Sequence, residues 1–143
     1  MAVKIRRVEL WQTTIRNRPI VLAATLERLA HSGIDLSVVM KYSLPGHSSH
    51  AIIEILAGSG RRATRAAQAA GFTRSTTPVL LVEGDDRPGL AYAVTGAVAW
   101  AGISLRFLSA QVVCGQYFAL LGFRTDTDAR KARSLIRKVA SRK

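Results

Sequence analysis

The residues best suited to bind a small molecule lie in the short stretch "DDRPGL", which precedes an apolar segment with helical spacing. The N-terminus of a helix carries unpaired N–H groups and a partial positive charge, so it favours a carboxylate. Because Pro88 has no N–H, the available donors begin at Gly89, where the lack of a side chain lets a ligand approach the backbone. Asp86 has two alternative roles, pairing with a ligand ammonium group or hydrogen bonding within the turn. The stretch therefore predicts either a site for a zwitterion or only a helix start.

The same stretch has an earlier counterpart in the chain. Residues 17–36 read "NRPIVLAATLERLAHSGIDL" and residues 86–105 read "DRPGLAYAVTGAVAWAGISL". Arg18 corresponds to Arg87, an offset of 69 positions (87 − 18), and the two segments align without a gap. A fixed offset of this kind indicates a repeated structural unit. The repeat predicts that whatever the turn does, the chain has two versions of it.

Both halves predict the same order of elements. A strand leads into a helix opened by Pro19 or Pro88, and two strands joined by a hairpin and a second helix follow. "RRVELWQTTI" is predicted as the first strand, and "FTRS" as a weak final strand without a counterpart in the second half. The order βαββα(β) is that of a ferredoxin-like α+β unit, whose antiparallel sheet carries both helices on one face. We expect two such units, 1–76 and 77–143, packed side by side with pooled sheets.

The size of the units and their sheet edges predict self-association. Each half has roughly 70 residues, a size at which an isolated hydrophobic core is marginal. The second half lacks a final strand in this interpretation, and an unpaired sheet edge must be covered or will pair with another chain. We therefore expect a homodimer or a larger assembly.

The second half also resembles a known family. "VLLV" at 79–82, followed by "DDRPGLAYAV" and "AWAGISL", is similar to an ACT domain, whose hallmark is a strand, an Asp-Arg-Pro-Gly turn, a helix and a Gly-Ile-Asn/Asp-Leu-like entry to the next strand. Residues 17–36 resemble a second copy, so the chain looks like a tandem ACT-domain protein. The resemblance implies a regulatory module that binds an amino acid or similar small ligand at an interface between paired domains.

The resemblance also implies which residues contact the ligand. In the second copy Gly89 occupies the family's glycine position, whereas Ile20 stands there in the first copy, so we expect the second turn to be the better site. We expect Gly89→Ile to remove ligand binding without disturbing the fold. The candidate ligand-binding residues are Asp86, Arg87, Pro88, Gly89 and Leu90 in the second copy, and Asn17, Arg18, Pro19 and Ile20 in the first.

Other chemistries have weaker support. Gly58 and Gly60, with Ala63 and the later Glu83, imitate a dinucleotide fingerprint, but the second half has no such glycine pair and the chain is short for a doubly wound sheet. The segment "HSSH" at 47–50 lacks further metal-ligating residues and is predicted to be a solvated loop. No serine or cysteine has an evident base partner. We expect no cofactor, no metal and no catalytic residue.

The main alternative rests on charge. The net charge of +12 is compatible with a nucleic-acid partner. Ferredoxin-like folds bind RNA through aromatic residues on the exposed sheet, and this sequence has no "RGFGF"-like run. A basic helix face is more often only solvated, so we place RNA or DNA binding second. The residues concerned are Arg61, Arg62 and Arg65, then Arg130, Lys131, Arg133, Arg137, Lys138, Arg142 and Lys143, and the strand aromatics Phe107, Tyr117, Phe118 and Phe123.

Composition limits the cellular setting. The chain is 48% hydrophobic, yet no uncharged apolar run approaches the roughly 18 residues that a transmembrane helix needs. The single cysteine, Cys114, cannot form an intrachain disulfide, which fits a reducing compartment. We expect a cytoplasmic protein without membrane contact.

Overall fold

The computed structural model describes residues 3–140, which divide into two compact units. Strand β1 (Lys4–Val8) belongs with the residues from Thr77 onward, and we call these together the second-repeat unit. Residues Glu9–Thr76 form the first-repeat unit. None of the helices described is both long and apolar enough to cross a membrane.

The first-repeat unit has one antiparallel sheet of four strands, in the order β3-β4-β2-β5. Its helices pack on the sheet through a core that includes Trp11, Ile53 and Ile55. The second helix contacts this core through alanines, whose small side chains permit close approach. Its elements are β2 (Trp11–Arg16), α1 (Pro19–His31), β3 (Leu36–Leu44), β4 (His47–Ala57), α2 (Arg61–Ala69) and β5 (Thr73–Arg74).

The second-repeat unit has the same architecture, with sheet order β1-β6-β8-β7. Leu80, Val82 and Leu121 of the sheet pack with Val94 and Ile136 of the helices in one core cluster. Its remaining elements are β6 (Val79–Asp85), α3 (Leu90–Trp100), β7 (Leu105–Val113), β8 (Gln116–Phe123) and α4 (Asp126–Ala140). The predicted α+β fold of two ferredoxin-like units is therefore confirmed.

Strand β1 corrects the sequence-based interpretation of the N-terminus. "RRVELWQTTI" is not one strand, because β1 ends at Val8 and β2 begins at Trp11. β1 pairs antiparallel with β6, with Ile5 opposite Val82, in the place that β5 occupies beside β2 in the first repeat. The final strand that seemed missing from the second repeat is thus supplied by the start of the chain. The described strands also form two separate sheets, so the expected pooling of the sheets was wrong.

The first helix of each repeat ends in the same way, as the repeated Gly-Ile pair predicts. Gly33 and Gly102 have φ values of +70° and +72°, in the left-handed region that favours glycine. The N–H of Ile34 bonds to the carbonyl of Leu29 at 3.4 Å, and that of Ile103 bonds to the carbonyl of Val98 at 3.2 Å. These bonds satisfy carbonyl groups that the helix leaves unpaired. The two starts, by contrast, differ: α1 begins at Pro19 as expected, whereas α3 begins at Leu90 and not at Pro88.

Candidate functional site

The "DDRPGL" turn connects the end of β6 to the start of α3. The N–H of Asp86 donates to the carbonyl of Gly115 in the β7–β8 hairpin at 2.9 Å, and Gln116 Nε2 donates to Asp85 Oδ1 at 2.6 Å. These bonds fix the turn to the hairpin while leaving the Asp86 side chain exposed. Gly89 has φ +83°, a left-handed conformation that delays the helix to Leu90. Pro88 is therefore not the first residue of its helix, unlike Pro19 in α1.

The start of α3 presents unpaired donors to solvent. Within residues 3–140, the N–H groups of Gly89 and Ala91 have no hydrogen-bond partner, and both residues are exposed. A Cβ built on Gly89 would meet nothing within 4 Å, so the space above this backbone is open. Leu90 differs, because its N–H bonds to the carbonyl of Arg87 at 3.2 Å and its side chain is only 1% exposed. Leu90 anchors the turn in the core and presents no group to a ligand.

Arg87 connects this turn to the end of α4 within the second-repeat unit. Its Nη2 donates to the carbonyl oxygen of Ala140, the last residue of α4, at 3.4 Å. A cation at a helix C-terminus is favourable, because the carbonyl groups there carry partial negative charge. Arg87 therefore positions α4 against the turn, a role that the sequence did not indicate.

Tyr117 packs beside this turn, and the sequence did not identify it as a candidate ligand-binding residue. It lies on β8 opposite Gly84, is 2% exposed and shares a core cluster with Leu90. Its hydroxyl is buried and has no hydrogen-bond partner among the described residues. Burial raises the pKa of Tyr117, and the negative charge of Asp86 raises it further. A buried hydroxyl without a partner costs about 1–3 kcal/mol, so it requires an explanation.

The first-repeat turn has a different geometry. Arg18 has extended backbone angles, Pro19 is the first residue of α1, and Ile20 lies inside the helix with its side chain 74% exposed. The first repeat thus has an exposed isoleucine side chain at the position where the second repeat has Gly89. Ala51 is opposite Ile15, where the second repeat has Tyr117 opposite Gly84, so this turn has no buried hydroxyl.

The hairpin beside the first turn is also longer. Arg16 pairs with His50 while Asp85 pairs with Gln116, so the offset between repeats falls from 69 (85 − 16) to 66 (116 − 50) across the hairpin. The extra residues fall in the "HSSH" segment, which begins β4 and is therefore not the loop that the sequence predicted, and they contact the turn. The backbone N–H of Asn17 donates to the carbonyl of Ser49 at 2.8 Å, and its side-chain amide donates to that of Ser48 at 3.5 Å. These contacts occupy Asn17, whereas Asp86 keeps its carboxylate exposed.

The remaining candidate chemistries find no assembled site in the described part of the chain. Ser49 Oγ lies 2.9 Å from His50 Nδ1, but the two residues are chain neighbours, Ser49 exposed and His50 half-buried, and no carboxylate among the described residues orients the imidazole. Residues 3–140 contain no group of three or more His, Cys, Asp or Glu side chains that could hold a metal. The glycines before α2 follow a strand of an antiparallel sheet, unlike a dinucleotide-binding turn, which follows a parallel strand.

Of the basic residues named for nucleic-acid binding, Arg142 and Lys143 lie outside the described residues, and some of the others make internal contacts. Arg62 Nη2 donates to the carbonyl of Ser32 at 3.2 Å, and Arg133 Nη2 donates to that of Ile5 at 3.2 Å. Arg74 pairs with Glu9, and its guanidinium lies 4.9 Å from the ring centroid of Trp11.

The strand aromatics named for RNA binding are mostly unavailable for base stacking. Tyr117 and Phe123 are buried in the core, at 2% and 0% exposure. Phe107 packs over Gly122, where an added Cβ would lie 2.2 Å from Phe107 Cε1. An RNA-binding sheet of this fold stacks bases on exposed aromatic rings, which these three residues do not provide.

Comparisons with known proteins identify the fold. The sequence matches no model of a protein family and no curated protein. Among solved structures, a protein from Bacteroides thetaiotaomicron matches with TM-score 0.72 at 17% identity, covering 91% of this chain and 89% of that one. The ligand-free regulatory subunit of aspartate kinase from Thermus thermophilus matches with TM-score 0.65 at 16% identity, covering 99% and 98%. The corresponding subunit from Thermus flavus gives 0.62 at 14% identity, covering 97% of each chain. At these identities the likeness concerns the fold, and at that level the resemblance to tandem ACT domains is confirmed.

Proposed function

We propose that this protein is a non-catalytic regulatory module that binds an amino acid or a similar zwitterionic metabolite at the Gly89 turn. The observation that carries the proposal is the unpartnered hydroxyl of Tyr117, buried near Asp86 at a helix start with unpaired donors. The regulatory role is supported by the shared fold with the regulatory subunits of aspartate kinase.

The turn offers complementary groups for both charges of an amino acid. In this proposal the N–H groups of Gly89 and Ala91, which lack partners within residues 3–140, donate to the ligand carboxylate, which the helix N-terminus also favours. The Asp86 carboxylate, which is exposed, pairs with the ligand ammonium group in this proposal. A small rearrangement of the turn would let the Tyr117 hydroxyl join this set and gain the hydrogen bond that it lacks.

A thermal-shift screen against the twenty amino acids tests the proposal. A ligand that binds only the folded state stabilises it, by about 2.7 kcal/mol at a concentration of 100 Kd. We expect one or a few amino acids to raise the melting temperature, whereas the matching amine without a carboxylate and the matching acid without an ammonium group do not. If none stabilises the protein while RNA or DNA binds with a steep salt dependence, nucleic-acid binding replaces this proposal.

Tyr117→Phe should have opposite effects on stability and on binding. Without ligand, the variant should be as stable as the parent or more stable by about 1 kcal/mol, because it removes an unpaired buried hydroxyl. With the ligand found in the screen, its stabilisation should shrink, because a hydrogen bond in the complex is lost. Urea unfolding with and without ligand measures both quantities. An unchanged ligand effect would remove Tyr117 from the site. Tyr42→Phe on β3 is a control outside the turn: it should lose stability, because the Tyr42 hydroxyl bonds to Glu54, and should keep the ligand effect.

We further propose that the protein is a homodimer joined through an edge strand. With β1 filling the place of the missing strand, β7 and β3 remain as long sheet edges of nine residues each. β7 exposes Leu108, Val112 and Val113 at 44%, 50% and 50%, and such an edge is a template for pairing. Light scattering should give a dimer mass that Val112→Pro reduces to a monomer mass. A monomeric parent at high concentration would refute the dimer.

A further inference from the structure

A groove between α3 and α4 of the second-repeat unit exposes an apolar surface. Its volume is about 620 Å³, and its lining includes Tyr92, Gly96 and Trp100 of α3 and Lys131, Leu135 and Val139 of α4. Tyr92 is 74% exposed and Trp100 is 83% exposed, which is unusual for large aromatic side chains. A Cβ on Gly96 would lie 3.8 Å from Trp100 Cδ1 and 3.9 Å from Tyr92 Cε1, so both rings flank this glycine. The groove is therefore a concave apolar surface, and on α3 the exposed rings of Tyr92 and Trp100 lie on either side of Gly96.

The first repeat shows that the fold does not require this surface. The positions 69 residues earlier than Tyr92, Gly96 and Trp100 are Ala23, Glu27 and His31. There, His31 Nε2 lies 3.7 Å from Glu27 Oε1 on a solvated helix face. An apolar patch that only one of two equivalent helices carries indicates an interaction site.

The charges around the groove select an anionic occupant. α3 has no charged residue. The charged residues of α4 after Asp128 are all basic, namely Arg130, Lys131, Arg133, Arg137 and Lys138. Of these, Lys131 lines the groove, whereas Arg133 bonds to the carbonyl of Ile5. A second copy would bring two sets of these cations together in a chain of net charge +12, and like charges across an interface are unfavourable. A flat lipid surface does not fill a concave groove, whereas the side chains along one face of a helix do.

We propose that this α3–α4 groove docks an acidic amphipathic helix of a partner protein. Apolar side chains of that helix fill the space around Gly96, and a carboxylate of the helix pairs with Lys131. Trp100 and Tyr92 are the aromatic anchors, since such residues contribute most of the energy in interfaces of this kind. This surface gives a regulatory module a contact with the protein that it regulates, and it does not depend on the identity of any ligand at the Gly89 turn.

Selection from a random peptide-display library on the immobilised protein tests this proposal. The enriched peptides should have a net negative charge and apolar residues at intervals of three and four. Trp100→Ala should weaken their binding roughly tenfold or more, as for an aromatic hot spot, and Lys131→Glu should weaken it while leaving the circular dichroism unchanged. His31→Ala, at the equivalent position of the first repeat, is the matched control and should bind like the parent. Trp100 emission should shift to shorter wavelength on binding, because Trp11, the other tryptophan, is already buried.

Four outcomes would overturn the proposal. The first is that no peptide is enriched, or that enriched peptides lack the acidic bias. The second is that Trp100→Ala and the parent bind the peptides equally. The third is Trp100-dependent binding to vesicles of phosphatidylcholine and phosphatidylglycerol, which would assign the groove to a membrane surface. The fourth is a concentration-dependent increase in mass that Trp100→Ala abolishes, which would assign it to a second copy of this chain.

Discussion

A chain that begins at Glu9 should lose the fold of its second-repeat unit and keep that of its first. Such a truncation removes β1, which pairs with β6 along five residues from Lys4 to Val8. It also removes Ile5 and Val8, which are 5% and 8% exposed, and burying each such side chain contributes about 1.5–3 kcal/mol. This loss is large against the total stability of about 5–15 kcal/mol for a domain.

Hydrogen exchange resolves the two units in one experiment. In the truncated chain, amides of β6 and β8 should exchange rapidly, while those of β2 and β4 remain protected. Within the intact chain, Ile5→Ala should cost about 2–4 kcal/mol as a buried large-to-small change. Lys4→Ala on the same strand is the control and should stay within about 0.5 kcal/mol, because Lys4 is exposed. Equal protection of both units after truncation would show that β1 is dispensable.

A rearranged chain tests the same pairing in the opposite direction. β1 takes the place beside β6 that β5 takes beside β2, and both pairs are antiparallel. Residues 77–143 alone should therefore not fold, whereas the same residues followed by a flexible linker and residues 1–8 should. The corresponding segment 9–76 already contains its own final strand and should fold as it is.

The sequence could predict those parts of the fold that local chemistry determines. Proline at the start and glycine at the end of α1, repeated after 69 residues, sufficed to predict the repeated unit and its helices. The weak strand "FTRS" appears as β5, reduced to Thr73–Arg74 and paired with β2. The partner of β1 could not be predicted in this way, because Ile5 pairs with Val82, 77 positions later (82 − 5). In the sequence, the apolar residues of β1 are also followed closely by those of β2, so the two strands looked like one.

The candidate site, like the fold, was predictable only where it depends on local sequence. The turn itself is a local motif, and the structure places it between strand and helix as expected. The role of Tyr117 depends on whether its hydroxyl finds a partner in the folded core, which the strand "QYFALLGF" does not reveal. Arg87 was predicted to contact the ligand, but its bond to Ala140 depends on where α4 ends in space.

The conformation of Gly89 requires a correction to the proposed test of the site. The expectation that Gly89→Ile would leave the fold undisturbed was wrong for this turn, because φ is +83° and β-branched residues are rarely tolerated there. A loss of binding in that variant alone would not distinguish a blocked site from a displaced turn. The chain offers a matched control in Gly102, at the other end of α3, with φ +72° and no atom within 4 Å of an added Cβ.

Gly89→Ala and Gly102→Ala should therefore cost similar stability but differ in ligand binding. Each places a side chain in the left-handed region, at a cost of about 1–2 kcal/mol. Only the substitution at Gly89 puts a methyl group where the ligand carboxylate would meet the unpaired N–H groups, so only it should abolish the stabilisation by the amino acid that the screen identifies. The expected loss of binding energy is about 1.5–3 kcal/mol, as for hydrogen bonds to a charged group. Calorimetric titration measures the affinity of the ligand for both variants and for Ile20→Gly in the first repeat. If Gly89→Ala binds like Gly102→Ala, the carboxylate does not lie at this helix start.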